Sequence, residues 1–193
     1  MEQVKLHIVG TCPLMLNNAR TVNPFDEYSK MLKPLTSKRT KTDDDLEEIS
    51  RIKFMASLYY EDGKYIIPAQ NFEQSFTEAA RERKLGKKFE KSFRIFDDAL
   101  LEFDDKDKTP EQLYDLGCYV DVRAVGIKNV KITTTRAIIP AWSTDIVCWY
   151  DESQLNKAEV LEIASVAGLR YGVGTYRRRY GKFEIVKTNR KLG

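Results

Sequence analysis

The sequence predicts an α+β fold with the element order β-α-β-β-α-β. Three observations predict it. Apolar residues alternate with period two at 4–10 and again within 118–127, apolar residues recur at helical spacing in three segments, and turn signals separate the rest into short β-branched or aromatic runs. With 193 residues, no internal repeat and no low-complexity tract, the whole of 1–193 is expected to form one domain.

The elements follow in order. Val4, Leu6 and Ile8 alternate with Lys5, His7 and Val9, which marks a strand over residues 4–10. Asn17-Asn18 is a turn signal. Residues 20–42 show no apolar period and read as a long mobile loop, the start of an insertion over 20–60. Thr42 followed by three Asp supplies an N-cap and an acidic first turn, and Leu46, Ile49, Ile52 and Met55 give the ensuing helix an apolar stripe. Asp62-Gly63 centres a hairpin. Phe72, Phe76 and Ala79/Ala80 place a helix over 70–85, closed by Gly86. Residues 92–103 read as strands, and Thr109-Pro110 opens a helical turn. Residues 118–127, 131–139 and 145–150 are strand-like, with Pro140 as a break. A helix over 157–169 and a strand over 182–187 complete the order. Without the insertions this is the ferredoxin-like, split β-α-β arrangement, in which two helices cover one sheet face and the other stays open. RNA-recognition modules use that open face for bases.

Composition excludes several classes. No apolar run approaches the ~18 residues of a membrane span. The start Met-Glu-Gln-Val-Lys lacks the features of a signal peptide, so a cytoplasmic location is expected. Cys12, Cys118 and Cys148 are odd in number and far apart, which fits reduced thiols. His7 is the only histidine and there is no Cys-x-x-Cys, so neither a metal nor a cofactor is expected. The carboxylates between Asp97 and Asp107 do not follow a calcium-loop pattern and read as a solvated stretch.

The net charge of +3 hides an asymmetry. From Arg170 onward eight basic residues face only Glu184, a local +7, while the rest of the chain sums to −4. Residues 28–42 hold Lys30, Lys33, Lys38, Arg39 and Lys41 without an acid, and residues 81–94 hold seven basic groups against two acidic ones. Such segregation points to a polyanionic partner.

The segment from Gly168 to Gly181 concentrates the relevant chemistry. Glycines let the backbone approach a ligand closely. Tyr171, Tyr176 and Tyr180 bracket Arg177, Arg178 and Arg179. Arginine forks pair with phosphates, and tyrosine rings stack on unpaired bases at about 1–3 kcal/mol each. The Gly-x-x-x-x-Gly-Lys-Ser/Thr pattern of a Walker loop is absent, and the segment does not read as a dinucleotide fingerprint because it follows a helix and precedes a strand.

The ferredoxin-like skeleton with a glycine-rich loop running into the last strand resembles the RAMP superfamily, and Gly10-Thr-Cys-Pro-Leu-Met15 after the first strand with Arg177 to Glu184 at the end resembles small phage proteins. Within it the chain is most similar to backbone subunits of CRISPR effector complexes and to small phage-encoded proteins of the same kind. The resemblance implies single-stranded RNA held along a row of protomers, hence a homo-oligomer or filament on nucleic acid. It places strand-end contacts at Asn17 and Asn18 and loop contacts from Arg170 to Lys182. It makes residues 20–42 a lid or a contact with a neighbouring protomer, and residues 128–145 a protruding hairpin. Trp142 is a candidate for the core or, equally, for an exposed stacker, and is kept among the binding candidates on the second reading.

The expected function is therefore sequence-tolerant binding of single-stranded nucleic acid, RNA ahead of DNA, without catalysis or a membrane. The candidate binding residues are Asn17, Asn18, Arg20, Lys38, Arg39, Lys41, Arg136, Trp142, Arg170, Tyr171, Tyr176, Arg177, Arg178, Arg179, Tyr180 and Lys182. The alternatives are an endoribonuclease using His7 or, by the resemblance, Asp26, and a phage factor that binds a host protein.

Overall fold

The structure, a computed structural model, describes residues 1–127 and 130–186, with backbone only at 125–127 and 130–132. The main sheet has four antiparallel strands: β1 (Glu2–Gly10), β5 (Phe93–Arg94), β9 (Ser143–Tyr150) and β10 (Phe183–Val186), in the order β10-β1-β9-β5. The path from β1 to β5 skips over β9, and the path from β9 to β10 skips over β1. Each passes through a helix, α3 (Ala69–Glu82) in the first case and α6 (Lys157–Val166) in the second. The two helices pack on each other and on one face of the sheet.

Sequence explains that face. Alternation puts Val4, Leu6 and Ile8 of β1 beside Ile146, Cys148 and Tyr150 of β9, all buried. Phe72 and Phe76 of α3 project at i and i+4 and meet Phe93 and Phe183 at ring separations of 5.6 to 6.4 Å. Phe72 and Phe76 are wholly buried, each contributing about 1.5–3 kcal/mol relative to exposure. The opposite face carries exposed or half-buried side chains: Lys5, His7, Asp145, Val147, Trp149 and Val186.

A second sheet, β2-β8-β7, joins β2 (Leu14–Met15) to a long hairpin of β7 (Val120–Ile127) and β8 (Val130–Ile139). Helix α2 (Asp43–Ser57) lies on one face of it, tied by a Ser50–Thr135 hydroxyl bond of 2.9 Å. A third small sheet contains β3 (Tyr60–Glu61), β4 (Lys64–Ile67) and β6 (Ala99–Leu100). The Asp62-Gly63 turn between β3 and β4 has positive φ at both residues, as a two-residue hairpin needs. Helix α5 (Pro110–Leu116) is capped by Thr109 and ended by left-handed Gly117.

Four expectations need correction. Residues 20–42 are not a mobile loop. A 3₁₀ turn at Ala19–Val22 leads to α1 (Glu27–Thr36), whose first turn is capped by Asp26 accepting from the Tyr28 N–H at 2.9 Å. Tyr28, Leu32 and Leu35 do pack inward at helical spacing, but Pro34 and the polar composition masked the period. Gly86 does not close a helix; it opens α4 (Gly86–Ser92), and the turn before it is made by Lys84 at φ +61°. Residues 92–103 supply only two-residue strands, β5 and β6, in different sheets. Strands β7 and β8 pair over 120–139 instead of 128–145, and residues 143–145 belong to β9 in the main sheet. Residues 128–129, and Lys187, Arg190 and Lys191, lie outside the described residues.

Candidate nucleic-acid interface

The connection from α6 to β10 is fastened to the start of the chain. A π-helical turn at Ala167–Tyr171 ends at Gly172, and the backbone then doubles back. Val173 N–H donates to Gly181 C=O at 2.9 Å, closing the loop on itself. Thr175 N–H donates to Met15 C=O at 2.8 Å, and Gly181 N–H donates to Pro13 C=O at 2.8 Å. Gly181 sits at φ +70°, where a Cβ would stand 1.9 Å from the Val173 carbonyl oxygen. The two stretches that carry the family resemblance, residues 10–15 and 177–184, are thus adjoining parts of one site.

Above this loop stands the β7–β8 hairpin. Alternation puts Asp121, Arg123, Thr134 and Arg136 on the hairpin face away from α2, and Tyr176 and Tyr180 of the loop come up against them. The Arg123 guanidinium lies 5.5 Å from the Tyr176 ring and 5.3 Å from Tyr180, and that of Arg136 lies 4.8 Å from Tyr176. Arg123 forks onto Asp121, and its Nη2 donates to the Tyr180 hydroxyl at 3.1 Å. The Asp121 hydrogen bonds hold its guanidinium still more firmly in the charged form. Tyr176 itself is exposed and left-handed at φ +50°. Arg123, Tyr176, Tyr180 and Arg177 to Arg179 line a shallow cavity of about 240 Å³.

The arginines divide into two groups. Arg177 is bound by both oxygens of Glu78, at 3.1 and 3.0 Å, and Arg170 pairs with Glu82 at 2.6 Å. Tyr171 donates its hydroxyl to Glu82 at 2.6 Å, and that bond, with Arg170, holds the Glu82 carboxyl below its ordinary range. Lys182 donates to the Arg170 carbonyl, and burial depresses its ammonium. These four candidates serve the protein's own framework. Arg178 and Arg179, by contrast, form no ion pair among the described residues, and Arg179 lies over the Tyr180 ring. The Nε and Nη1 of Arg136 are buried without a hydrogen-bond partner. Leaving these two nitrogens unpaired is costly, and the guanidinium is otherwise met by the Tyr176 ring.

The remaining candidates lie apart from this cluster. Arg20 is held by Asp26 at 2.9 Å and Glu27 at 3.0 Å and lies over Tyr28. Lys38 bonds Asp45 at 2.6 Å, Lys41 donates to the Lys38 carbonyl at 2.8 Å, and Arg39 is exposed. Asn18 donates to the Leu58 carbonyl at 3.3 Å, and the Asn17 carbonyl accepts from the Tyr59 hydroxyl at 3.4 Å, so both fasten the β2–α2 region. Trp142 as a stacker is corrected. It is 4% exposed, packs on Phe183, and donates its indole N–H to the Cys12 carbonyl at 3.0 Å. It fills the space that the missing side chain of Gly10 leaves, since a Cβ there would fall 2.1 Å from its Nε1.

The residues set aside as chemistry also have defined places. His7 Nδ1 meets Asp145 Oδ1 at 2.7 Å on the open sheet face, beside a Lys5–Asp145 pair at 2.8 Å. The Asp145 carboxyl, which burial pushes up, is brought below its ordinary range by these two partners. In the carboxylate stretch, Asp98 accepts the Ala69 N–H at 2.8 Å and Asp105 accepts the Tyr119 hydroxyl at 2.7 Å. No group of three His, Cys, Asp or Glu side chains suited to a metal occurs among the described residues. Sequence reasoning missed Arg123. Its signal was present in the alternation of Asp121 and Arg123 along one strand face, but the tyrosines it meets lie more than fifty residues away.

No family model matches the chain, and no curated protein matches it. Among solved structures the chain is similar to one in the cryo-EM structure of the Type III-B Cmr-beta bound to cognate target RNA. The TM-score is 0.54 at 13% identity, over 96% of this chain and 60% of that one. The chain therefore spans about three fifths of the length of that neighbour. At such identity the likeness is one of fold. No helix among the described residues is long and apolar enough to cross a membrane.

Proposed function

We propose that this protein binds single-stranded nucleic acid, RNA ahead of DNA, with little regard to sequence. The observation that carries the reading is the group of guanidiniums without carboxylate partners, Arg136, Arg178 and Arg179, set around the exposed Tyr176 ring. Phosphates satisfy the guanidiniums and displace counterions, and the ring offers a base a stacking surface. Asp121, Glu78 and Glu82 hold Arg123, Arg177, Arg170 and Tyr171 in fixed positions, so the surface meets the strand already ordered.

Two further observations support the same reading. The strand order β10-β1-β9-β5 supports a ferredoxin-like reading of the core, and we take the chain to be RAMP-like. The neighbour of similar fold comes from the structure of a Type III-B Cmr-beta bound to cognate target RNA. On this basis the strand continues from the arginine–tyrosine loop toward the open sheet face, where Trp149 and the exposed Phe96 stand at 6.1 Å. Repeated protomers then line up along it in the cytoplasm. The protein acts as a binder and not as an enzyme; the endoribonuclease alternative draws on the His7–Asp145 pair.

The test is direct. Freshly purified protein is characterised by its ultraviolet absorbance spectrum, and any nucleic acid that co-purifies is sequenced. The reading expects heterogeneous RNA that is stripped by high salt. Protein that is free of nucleic acid and has no affinity for unstructured RNA or DNA at low salt contradicts it.

A further inference from the structure

Strand β7 is an edge. It pairs with β8 on one side and, among the described residues, with no strand on the other. Edges of soluble proteins are commonly blunted by lysine or proline. Neither occurs between Val120 and Ile127, and the two charges there, Asp121 and Arg123, are paired with each other.

The direction of its backbone groups follows from one bond. Ile138 N–H donates to the Tyr119 carbonyl at 2.9 Å. Along an antiparallel strand these groups point alternately toward the partner and away from it. Asp121 and Arg123 therefore bond to β8, and the N–H and C=O of Val122 and Ala124 point outward. The Val120 N–H, on the outward side, turns back to the Gly117 carbonyl at 3.1 Å and closes that end of the edge. The Val122 side chain is 57% exposed.

We infer that β7 is a self-association edge through which two copies of this chain pair antiparallel about a twofold axis at Val122. In that register each Val122 N–H donates to the Val122 carbonyl of the other copy. Asp121 of each copy stands across from Arg123 of the other, in the closer type of antiparallel pair. Val120 stands across from Ala124. The charge pattern is thus complementary to itself, as a twofold contact requires. Two exposed leucines lie beside this edge: Leu46, which lines a cleft of about 490 Å³ together with Val122, and Leu116, next to the Gly117 turn. Pairing joins two three-stranded sheets into one of six strands and sets the two arginine–tyrosine clusters on a common surface. It needs no nucleic acid and stands apart from the binding function proposed above.

The experiment is sedimentation velocity on nuclease-treated protein over a concentration series. The wild type is expected to shift from monomer to dimer with rising concentration. Val122→Pro removes an outward N–H and no ladder bond to β8, so it is expected to keep its circular dichroism and remain monomeric. Asp121→Arg and Arg123→Asp each place like charges across the contact, so each alone is expected to be monomeric. Mixed in equal amounts they restore opposite charges at every position and are expected to form the dimer. A wild type that stays monomeric throughout overturns the inference. So does a dimer that survives Val122→Pro, or a mixture of the charge variants that associates no better than either alone.

Discussion

Gly181 donates its backbone N–H to the carbonyl of Pro13 at 2.8 Å, which fastens the last loop of the chain to the turn that follows its first strand. Between these residues lie β2 to β9 and α1 to α6, yet the surface assigned to nucleic acid depends on their contact. The loop presents Arg178, Arg179 and Tyr176 because its base is held from below by Pro13 and Met15.

Gly181→Ala is expected to disturb that base. At φ +70°, with a Cβ 1.9 Å from the Val173 oxygen, the loop must shift. A loss of about 1–3 kcal/mol in urea unfolding is expected, together with weaker RNA binding. A variant as stable and as tightly binding as the wild type removes the loop from its assigned role.

The two groups of arginines are expected to behave differently. Arg178→Ala with Arg179→Ala leaves stability nearly unchanged and lowers the slope of log affinity against log salt by about 1.4, at ~0.7 per phosphate contact on a single strand. Arg177→Ala instead strands Glu78 in a half-buried position and lowers thermal stability. Equal effects from both variants contradict the division.

Tyr176 is expected to act through its ring. Tyr176→Phe keeps affinity, and Tyr176→Leu loses about 1–3 kcal/mol of it. Fluorescence anisotropy with an unstructured RNA measures both. A Leu variant that binds like the wild type removes base stacking from the account.

Acid is expected to loosen the support of the site. The Tyr171 hydroxyl, then Arg170, keeps the Glu82 carboxyl below its ordinary range, and Lys38 does the same for Asp45. A carboxyl depressed in the folded state stabilises it at pH values above the ordinary carboxylate pKa of about 4, and that contribution is lost as the pH falls through the depressed value. Melting temperatures are therefore expected to be flat near neutrality and to fall below about pH 4, with a shallower fall in Glu82→Gln. An unchanged acid limb in that variant contradicts the assignment.

Catalysis is expected to be absent. Labelled RNA incubated with the protein remains intact with or without EDTA, and His7→Ala binds RNA as the wild type does. Cleavage that disappears in His7→Ala would make the His7–Asp145 pair an acid–base centre instead.

Much of this organisation was legible in the sequence, and the exceptions have physical causes. β1 follows from period-two alternation, β9 from its β-branched and aromatic composition, α3 from the spacing of Phe72 and Phe76, and α2 from the acidic first turn after Thr42. The loop arginines and tyrosines were visible as composition. Their division was not, because Glu78 and Glu82 reach them from α3, nearly a hundred residues away. Helix α1 was hidden because Pro34 sits in its last turn and only Leu32 is fully buried. The place of Trp142 depended on Gly10, a partner that no local pattern discloses.

The measurement that bears most directly on the central claim is the affinity of the wild type and of the Arg136→Ala, Arg178→Ala, Arg179→Ala triple variant for an unstructured RNA, between about 50 and 200 mM salt. The account predicts steep weakening of wild-type binding with salt, and a folded triple variant with much lower affinity and a flatter slope. Wild-type affinity indifferent to salt, or a triple variant that binds as tightly and with the same slope, would contradict it.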